Sequence, residues 1–227
     1  VRDVRSLFGW LLVPEIVGSP VTIAVAKLAI NVSLSSRIAW ANELSSLSVE
    51  LGADPEVVLR AVGSDPRIGS AYLRPGWPPS GPCLPRDLDI WVGLGSTPLA
   101  AEIERSHRMR RDAIVARAIR WIEQSGRSRP TVGILGLVYN PGACDITESQ
   151  GIALARECDR RGWRVFGFDP MQEYLPRNLP LRFSASAKQV VDTCDLVVLA
   201  TPWPEFESMT KSSRPFLTLG GTFGLPW

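Results

Sequence analysis

The first half of the chain has the hydrophobic periodicity of long helices. Apolar residues recur at helical spacing over residues 20–51, after the typical helix start Ser19-Pro20 and before Gly52, a typical stop. A helix of this length would extend about 48 Å. Because its apolar side chains occupy much of its circumference, we expect partners on more than one side, and a contact between subunits is a natural source of them.

Shorter helices are expected to follow in the same half. Asp54-Pro55 should open a helix over residues 56–62, and two further helices are predicted over residues 87–94 and 99–124. Residues 67–73 should form a short helix or turn. Residues 74–85, which include five prolines, should form a loop.

The periodicity changes after Pro130. Continuous apolar runs at residues 131–137, 164–168 and 195–200 predict buried strands, and residues 149–160 predict a helix between two of them. Strands that alternate with helices indicate a doubly wound parallel sheet. The predicted fold is therefore α plus α/β, with a helical domain over residues 1–128 followed by a Rossmann-like domain over residues 129–227.

Composition and charge exclude several classes of function. The formal net charge of +2 is too small to indicate a nucleic-acid partner, and the basic run at residues 107–111 is expected to be a solvated helix face. His107 is the only histidine, which argues against a zinc site and against a Ser-His-Asp triad. Lys27, Asn31 and Arg37 interrupt the longest apolar stretch, which argues against a membrane span.

The four cysteines show no metal-ligand spacing and no CxxC motif. Free thiols suggest a reducing compartment, so a cytoplasmic protein is expected. We expect Cys144, Cys158 and Cys194 to be small apolar packing residues. Cys83 differs because it lies in the proline-rich loop.

Cys83 and three other residues carry the most informative chemistry. Lys27 and Asn31 lie one turn apart on the long predicted helix, and Asp87 follows Cys83 by four residues, which gives the arrangement K-x3-N … C-x3-D. A thiol, an amine, an amide and a carboxylate form a nucleophile with supporting groups. Taken singly, Cys83 would be a loop thiol, and Lys27 would be a residue whose apolar stem covers a helix.

Several short motifs occur in a fixed order along the chain. They are Lys27-Leu28-Ala29-Ile30-Asn31, Ala41-Asn42-Glu43-Leu44, Asp65-Pro66-Arg67-Ile68-Gly69, Gly81-Pro82-Cys83-Leu84-Pro85-Arg86-Asp87, Gly133-Ile134-Leu135-Gly136-Leu137, Asp145-Ile146-Thr147-Glu148-Ser149, Phe168-Asp169-Pro170 and Ala200-Thr201-Pro202-Trp203. This ordered set resembles the central and C-terminal domains of the UDP-glucose/GDP-mannose dehydrogenase family. The resemblance spans nearly the whole chain, and the joint order is specific although no single motif is.

The resemblance implies an enzyme that oxidises the C6 alcohol of a UDP-sugar, UDP-glucose by default, to the carboxylate, with NAD accepting a hydride twice. It makes Cys83 the nucleophile, which forms a thiohemiacetal and then a thioester. Lys27 would stabilise the developing oxyanion, and Asn31 would orient a hydroxyl or water. Asp87 would act as general base or hold the water that hydrolyses the thioester.

The resemblance also implies a homodimer and a set of substrate-binding residues. These residues are Arg67, Tyr72, Leu73, Gly76, Gly81, Tyr139 and Asn140. Arg67 would reach the nucleotide sugar of the neighbouring subunit, although such an arginine is more often a solvated charge. Tyr72 would be either a wall of the sugar site or a core residue. No metal, nucleic acid or membrane partner is implied.

The chain departs from the family pattern at the cofactor site. It contains no strand–GxGxxG–helix segment, so NAD would be bound mainly by an N-terminal domain that residues 1–227 lack. Val1 is not an initiator methionine, which is consistent with a chain that begins within a longer protein. Gly133 and Gly136 are expected to serve strand–helix packing, with no acidic ribose-binding residue after them.

Four departures from the family's site leave two functions open. The family's G-F-G-G run corresponds here to Pro78-Pro79-Ser80-Gly81, and Asn140 replaces a lysine. Prolines remove amide donors that could approach a sugar. The chain is therefore either part of a nucleotide-sugar 6-dehydrogenase, inactive in isolation, or a degenerate module that dimerises and binds a nucleotide sugar without catalysis.

Overall fold

The computed structural model describes residues 7, 8, 10, 14–211 and 215–219, which form a helical part and an α/β part. The helical part contains α1 (Pro20–Glu50), α2 (Pro55–Ser64), α3 (Leu84–Gly93) and α4 (Pro98–Glu123). The α/β part contains β1 (Thr131–Leu135), α5 (Gln150–Arg160), β2 (Arg164–Phe168), β3 (Arg182–Phe183), α6 (Ala187–Thr193), β4 (Leu196–Leu199) and β5 (Phe216–Thr218), with 3-10 helices at Gln172–Tyr174 and Pro204–Lys211. The predicted α plus α/β fold is confirmed.

Helix α1 begins and ends where the sequence predicts. The Ser19 hydroxyl accepts a hydrogen bond from the Thr22 amide at 3.2 Å, and Pro20 occupies the first turn, where a missing N–H costs nothing. The buried face of α1 consists of small or polar residues: Ser35, Ala39, Ala41, Asn42, Ser45 and Ser48. Several of its large apolar side chains lie outside this face, since Ile30, Trp40 and Leu47 are 60, 49 and 49% exposed, and the C-cap residue Leu51 is 74% exposed.

Helix α4 packs against both parts of the molecule. Near its start, Ala100 and Ile103 pack with Ala39 of α1 and Leu88 of α3. Its second half joins the main core of the sheet through four buried residues, Ile114, Ala118, Ile119 and Ile122. This one helix therefore fixes the position of the helical part relative to the sheet.

The sheet is parallel throughout and has the strand order β3-β2-β1-β4-β5. Every residue of β1 and β4 is buried, as expected for central strands of a doubly wound sheet. The chain leaves β1 to one side and returns to its other side at β4. A crevice for ligands is expected at such a switch point, beyond the carboxyl ends of the strands.

Residues 67–73 form turns, one of the two predicted alternatives. The structure differs from the predicted elements at other positions, since α3 begins at Leu84 inside the predicted loop and β1 ends at Leu135. Pro85 lies in the first turn of α3, where proline is tolerated, so it did not mark the end of the loop. The strands β3 and β5 and the helix α6 were not predicted, because elements of two, three and seven residues are too short to show a period.

The prediction that residues 107–111 form a solvated face is wrong for His107. This side chain is buried against α1, with Nε2 3.1 Å from the carbonyl oxygen of Ser35. Burial lowers the pKa of His107 to about 4, so the imidazole is neutral at pH 7. Arg110 is also partly buried, and its Nε donates to Gly76 O at 3.3 Å.

Candidate active site

Helices α1 and α3 bring Lys27, Asn31 and Asp87 together. Lys27 and Asn31 are four residues apart on α1, so both lie on the same face of the helix. The Lys27 ammonium forms an ion pair with Asp87 Oδ2, and Asn31 Nδ2 donates to the same oxygen at 2.6 Å. The packing of Ala39 on Leu88 holds the two helices at this crossing.

Arg86 completes the surroundings of Asp87. Its Nε and Nη2 donate to Asp87 Oδ1 at 3.0 and 2.8 Å. The Asp87 side chain is 1% exposed, whereas Lys27 and Arg86 are about half exposed. The hydrogen bond from Lys27, opposed by burial and helped by Arg86 and Asn31, lowers the pKa of Asp87 to about 2. The carboxylate is therefore ionised and weakly basic at neutral pH, and it fixes the amine and the amide in place.

Cys83 lies at the start of α3, one turn before Asp87. It is the N-cap residue of the helix, its side chain is exposed, and its carbonyl oxygen accepts the Asp87 amide at 2.9 Å. The first N–H groups of a helix favour negative charge nearby. The four candidate catalytic residues are thus distributed over one face of α1 and the first turn of α3.

The proline-rich loop brings two predicted substrate-binding residues into contact. Gly81 adopts φ +82, and a Cβ there would lie 2.7 Å from the ring of Tyr139, so only glycine fits. The Gly81 amide donates to Thr147 O at 2.8 Å. Cys83 follows two residues later, so the thiol lies near the junction between the helical and α/β parts.

Three other predicted substrate-binding residues occupy different surroundings. Gly76 is buried, and its amide donates to Asn42 Oδ1 at 2.7 Å. Leu73 is buried in a small core with Ala41. Asn140 is exposed next to Tyr139. A direct contact with a ligand is therefore open to Asn140, whereas Leu73 and Gly76 already serve packing and loop geometry.

Arg67 and Tyr72 lie on the turns between α2 and the loop. The Arg67 side chain is 87% exposed and pairs with Asp65 at 2.7 Å. Tyr72 adopts φ +59 and is 47% exposed, so it is not a core residue. Arg37 on α1 braces these turns by donating to the carbonyl oxygens of residues 69 and 71, both at 2.6 Å. The structure does not bring Arg67 or Tyr72 to the Lys27–Asp87 pair.

The cysteines fall into two groups. Cys83 and Cys144 are exposed, and Cys158 and Cys194 are buried. The prediction that Cys144 is a packing residue is therefore wrong, because it lies in the irregular segment after β1. Burial raises the pKa of the Cys158 thiol to about 12, which leaves it inert at neutral pH.

Two arginines of the site were missed by the sequence analysis. Arg86 directly precedes Asp87 in a motif that matches the family, so the sequence could have indicated that Arg86 belongs to the site. Arg37 gave only the weak signal of a cation on an otherwise apolar helix, and its role depends on carbonyl groups more than thirty residues away.

The carboxyl edge of the sheet carries an acidic residue that the sequence analysis overlooked. Asp169 follows β2 and is fully buried. Its Oδ2 accepts the amides of Leu137 at 2.6 Å and Val138 at 3.1 Å, and Trp203 Nε1 at 3.3 Å. A carboxylate used in this way closes the loop after β1 and is not free to hold the ribose of a dinucleotide.

The space beside Gly136 is also occupied by other residues of the protein. A Cβ at Gly136 would lie 2.5 Å from the Thr201 amide, so the glycine serves packing between the ends of β1 and β4. Helix α5 begins only at Gln150, so its first turn does not follow β1 directly, as the helix of a GxGxxG segment does. The edge of the sheet after β1 therefore does not fit NAD.

We predict that the chain of residues 1–227 does not bind NAD at micromolar concentrations. The reason is that Asp169 and Gly136 are both occupied by internal contacts. Titration calorimetry with NAD should give no saturable heat below millimolar cofactor. A micromolar dissociation constant would contradict the assignment of these two residues.

Metal binding and membrane insertion are two further functions to consider. Within residues 14–211 and the other described positions, no group of three or more His, Cys, Asp or Glu side chains lies close enough to hold a metal ion. One described helix, α1, is long and apolar enough to cross a membrane by length and composition alone. Its residues Lys27 and Asn31 are bound to Asp87 of α3.

The protein therefore has two parts. The first is a helical unit that carries a thiol, an amine, an amide and a carboxylate, and the second is a Rossmann-like sheet of the type that binds nucleotides. Two family models match these two parts in the same order. Residues 22–98 match the central domain of the UDP-glucose/GDP-mannose dehydrogenase family, and residues 133–218 match its UDP binding domain. Together they cover more than half of the chain, which therefore belongs to this family of nucleotide-sugar dehydrogenases.

Individual relatives agree with this assignment. The chain is 28% identical over 201 residues to a UDP-glucose 6-dehydrogenase of Rickettsia bellii, covering 83% of this chain and 45% of that protein. It is 31% identical over 192 residues to the UDP-glucose 6-dehydrogenase AglM of Haloferax volcanii, covering 81% and 44%. A solved UDP-glucose dehydrogenase from Pyrobaculum islandicum superposes with a TM-score of 0.80 at 29% identity, covering 96% of this chain and 52% of that one. The chain thus spans about half the length of these relatives.

Proposed function

We propose that this chain is the thiol-bearing, nucleotide-sugar-binding part of a nucleotide-sugar 6-dehydrogenase. The activity would be oxidation of the C6 alcohol of a UDP-sugar, UDP-glucose by default, to the carboxylate. NAD would be held outside residues 1–227, so the isolated chain would be inactive. The observation that carries the proposal is the Lys27–Asn31–Asp87 network, which lies one helical turn from the exposed Cys83.

The chain's own residues would act on the sugar's C6 carbon. The Cys83 thiolate would attack the aldehyde carbon to form a thiohemiacetal, and the Lys27 ammonium would stabilise its oxyanion. Asn31 would orient the oxygen of the sugar or of a water. Asp87 would act chiefly by holding Lys27 and Asn31, because a carboxyl group with a pKa of about 2 is a poor proton acceptor at pH 7.

We predict weak binding of UDP at the carboxyl edge of the sheet, near residues 137–142. The parallel sheet places a crevice there, and Asn140 stands where the family has a lysine. Asn140→Lys should tighten UDP binding about tenfold or more, because charge-assisted hydrogen bonds to phosphate contribute ~1.5–3 kcal/mol. NMR titration of the amides of residues 136–142 would give both dissociation constants.

The matched control for this titration is Thr193→Lys. Thr193 is exposed at the end of α6, before β4, so it lies at the opposite edge of the sheet. The same added charge there should leave UDP binding unchanged. No saturable shift with millimolar UDP in any variant would remove the proposal that this chain binds the nucleotide.

We propose that the chain forms a homodimer through α1. Trp40, Leu47 and Leu51 are exposed although they are large and apolar. Leu47 and Leu51 follow Trp40 by seven and eleven residues, so the three lie on one face of the helix. Asn42 lies on the buried side of the helix, about 200° around the helix axis from this exposed face. An isologous contact would cover it.

Light scattering of the chain at micromolar concentration should therefore give the mass of a dimer. The double variant Trp40→Glu/Leu47→Glu should give a monomer, since each protomer would place two carboxylates in an apolar contact. Tyr174→Glu, a change of an exposed aromatic residue in the α/β part, should leave the dimer intact. A monomeric wild-type chain would contradict the proposal.

The second candidate function is a nucleotide-sugar-binding module without catalysis. Pro78 and Pro79 favour it, because both are buried in the loop where the family has glycines. Acid production by a longer form of the protein that carries an NAD-binding domain would decide for the enzyme. A cytoplasmic location is proposed for either function, in keeping with four cysteines that form no disulfide.

A further inference from the structure

Two consecutive residues of the α/β part hold the cysteine loop. The carbonyl oxygen of Thr147 accepts the Gly81 amide at 2.8 Å, and the carbonyl oxygen of Glu148 accepts Trp77 Nε1 at 2.9 Å. Loop residues Pro78, Pro79 and Pro82 have no N–H to offer, so few donors can fix this loop. Two of the donors that remain, the Gly81 amide and the Trp77 indole N–H, bind the carbonyl groups of Thr147 and Glu148.

Glu148 is held in an unusual conformation. Its φ of +56 lies in the left-handed region, which costs a residue with a side chain some free energy. The Glu148 carboxylate forms an ion pair with Arg111 on α4, and these side chains are 38% and 25% exposed. Since Ser149 directly follows as the N-cap of α5, the backbone on the other side is fixed as well. The ion pair thus holds the carbonyl of Glu148 where the Trp77 indole can reach it.

We propose that Glu148 and Arg111 are positioning residues that hold the cysteine loop on the α/β part. Thr147, Glu148 and Arg111 together are called the clasp below. The clasp acts through Trp77 and Gly81, and Gly81 precedes Cys83 by two residues. The importance of this position for a thiol nucleophile rests on the proposed function. The ordering of the loop by the clasp is independent of the proposed function.

The clasp also connects the loop with the segment after β1. The Tyr139 amide donates to Asp145 O at 3.0 Å, and Asp145 Oδ1 accepts the Thr147 amide at 2.6 Å. A nucleotide sugar bound near residues 137–142 would therefore contact a segment that is hydrogen-bonded to the clasp. Binding at the sheet edge should order residues 76–83 through this connection.

Hydrogen–deuterium exchange on the 227-residue chain tests the clasp without any ligand. The amide of Gly81 reports on the clasp, because it donates to the Thr147 carbonyl. Glu148→Gln and Arg111→Met should each raise the exchange rate of this amide about twofold to fivefold, the range expected when one charge of a partly exposed ion pair is removed. Arg111→Lys, which keeps the charge, should leave the rate close to that of wild type.

Arg108→Met is the matched control, because Arg108 forms a comparable ion pair with Glu104 on the same helix at 2.8 Å. It should leave exchange in residues 76–83 unchanged. Unchanged loop exchange in both Glu148→Gln and Arg111→Met, or an equal rise in Arg108→Met, would overturn the proposal. So would a rise that extends equally to β1 and α5, since that would be general destabilisation.

Alkylation by iodoacetamide then tests the consequence for the thiol. Where Cys83 labels faster than Cys144 in wild type, Glu148→Gln should lower the ratio of the two rates at least threefold, while buried Cys158 stays unlabelled and reports an intact fold. An unchanged ratio, despite faster loop exchange, would overturn the assignment of Glu148 as a positioning residue for Cys83. A wild-type ratio below one would count against the proposed function, and the exchange experiment would still decide the clasp.

Discussion

Replacement of Cys83 by serine is expected to abolish acid formation in a form of the protein that carries an NAD-binding domain. The loss should be about 10³-fold or more, since removal of a covalent nucleophile has effects of at least that size. A serine hydroxyl cannot form the thioester that the second oxidation requires, so an aldehyde-level product should remain. Product analysis by mass spectrometry would measure both species. Lys27→Ala should slow the same steps about 10²–10³-fold by removing a donor to the oxyanion.

Thiol reactivity gives an independent check on the nucleophile. Cys158 and Cys194 are buried, so iodoacetamide at neutral pH distinguishes mainly between the exposed thiols Cys83 and Cys144. Cys83, at the amino end of α3 and one turn from the Lys27–Asp87 pair, should label faster. Cys144→Ser serves as the matched control and should leave acid formation unchanged. Faster labelling of Cys144 than of Cys83 would favour the second candidate function, a nucleotide-sugar-binding module without catalysis.

The sequence could predict the elements whose ends carry chemical signals. Three helices have an N-cap side chain that accepts a hydrogen bond from an amide of the first turn, and two of them also have a proline in that turn. These starts are at Ser19-Pro20, Asp54-Pro55 and Ser149, and each helix begins where they indicate. The strands β3 and β5 have no such signal. They form because β2 and β4 offer unpaired edges, which is a tertiary effect.

The proximity of Lys27 and Asn31 was predictable for a similar reason, because their spacing on one predicted helix places them on the same face. The position of Cys83 one helical turn before Asp87 was not predictable, because the prolines around Cys83 indicated a loop up to residue 85. The connection between the two segments came from the resemblance to a family. The roles of Arg37, Asp169 and Glu148 could not be predicted, because each is defined by backbone groups far away in sequence.

The burial of α1 shows where pattern and structure diverge. The pattern of large apolar residues predicted partners on more than one side of the helix, and a partner for the exposed apolar face stays a prediction. It did not show that the face buried within the chain would be the one with serines, alanines and Asn42. Small residues allow the close approach of α3 and α4, which is what brings Asp87 to Lys27 and leaves Trp40 and Leu47 outside.

Asp87 is the residue whose neutralisation should cost the fold most within the site. Asp87→Asn removes the carboxylate that accepts hydrogen bonds from both Lys27 and Arg86, and the new amide N–H group would face these donors. We expect a loss of ~1–3 kcal/mol in the free energy of unfolding at pH 7, the cost of leaving buried polar partners unmatched. Urea unfolding, compared with Asp89→Asn at an exposed position of the same helix, would measure it.

The same variant has a defined pH dependence. The folded-state pKa of Asp87, about 2, lies below the ordinary value of 3.8, so the unfolded chain binds this proton first. The stabilisation is therefore complete above about pH 4 and is lost as the pH falls towards 2. The difference in stability between wild type and Asp87→Asn should narrow over that interval. In a form of the protein that carries an NAD-binding domain, hydrolysis of the thioester should slow in Asp87→Asn because Lys27 and Asn31 would no longer be held by the carboxylate. A stability difference that stays constant from pH 7 to pH 2 would show that the Asp87 carboxylate is not held by Lys27 and Arg86.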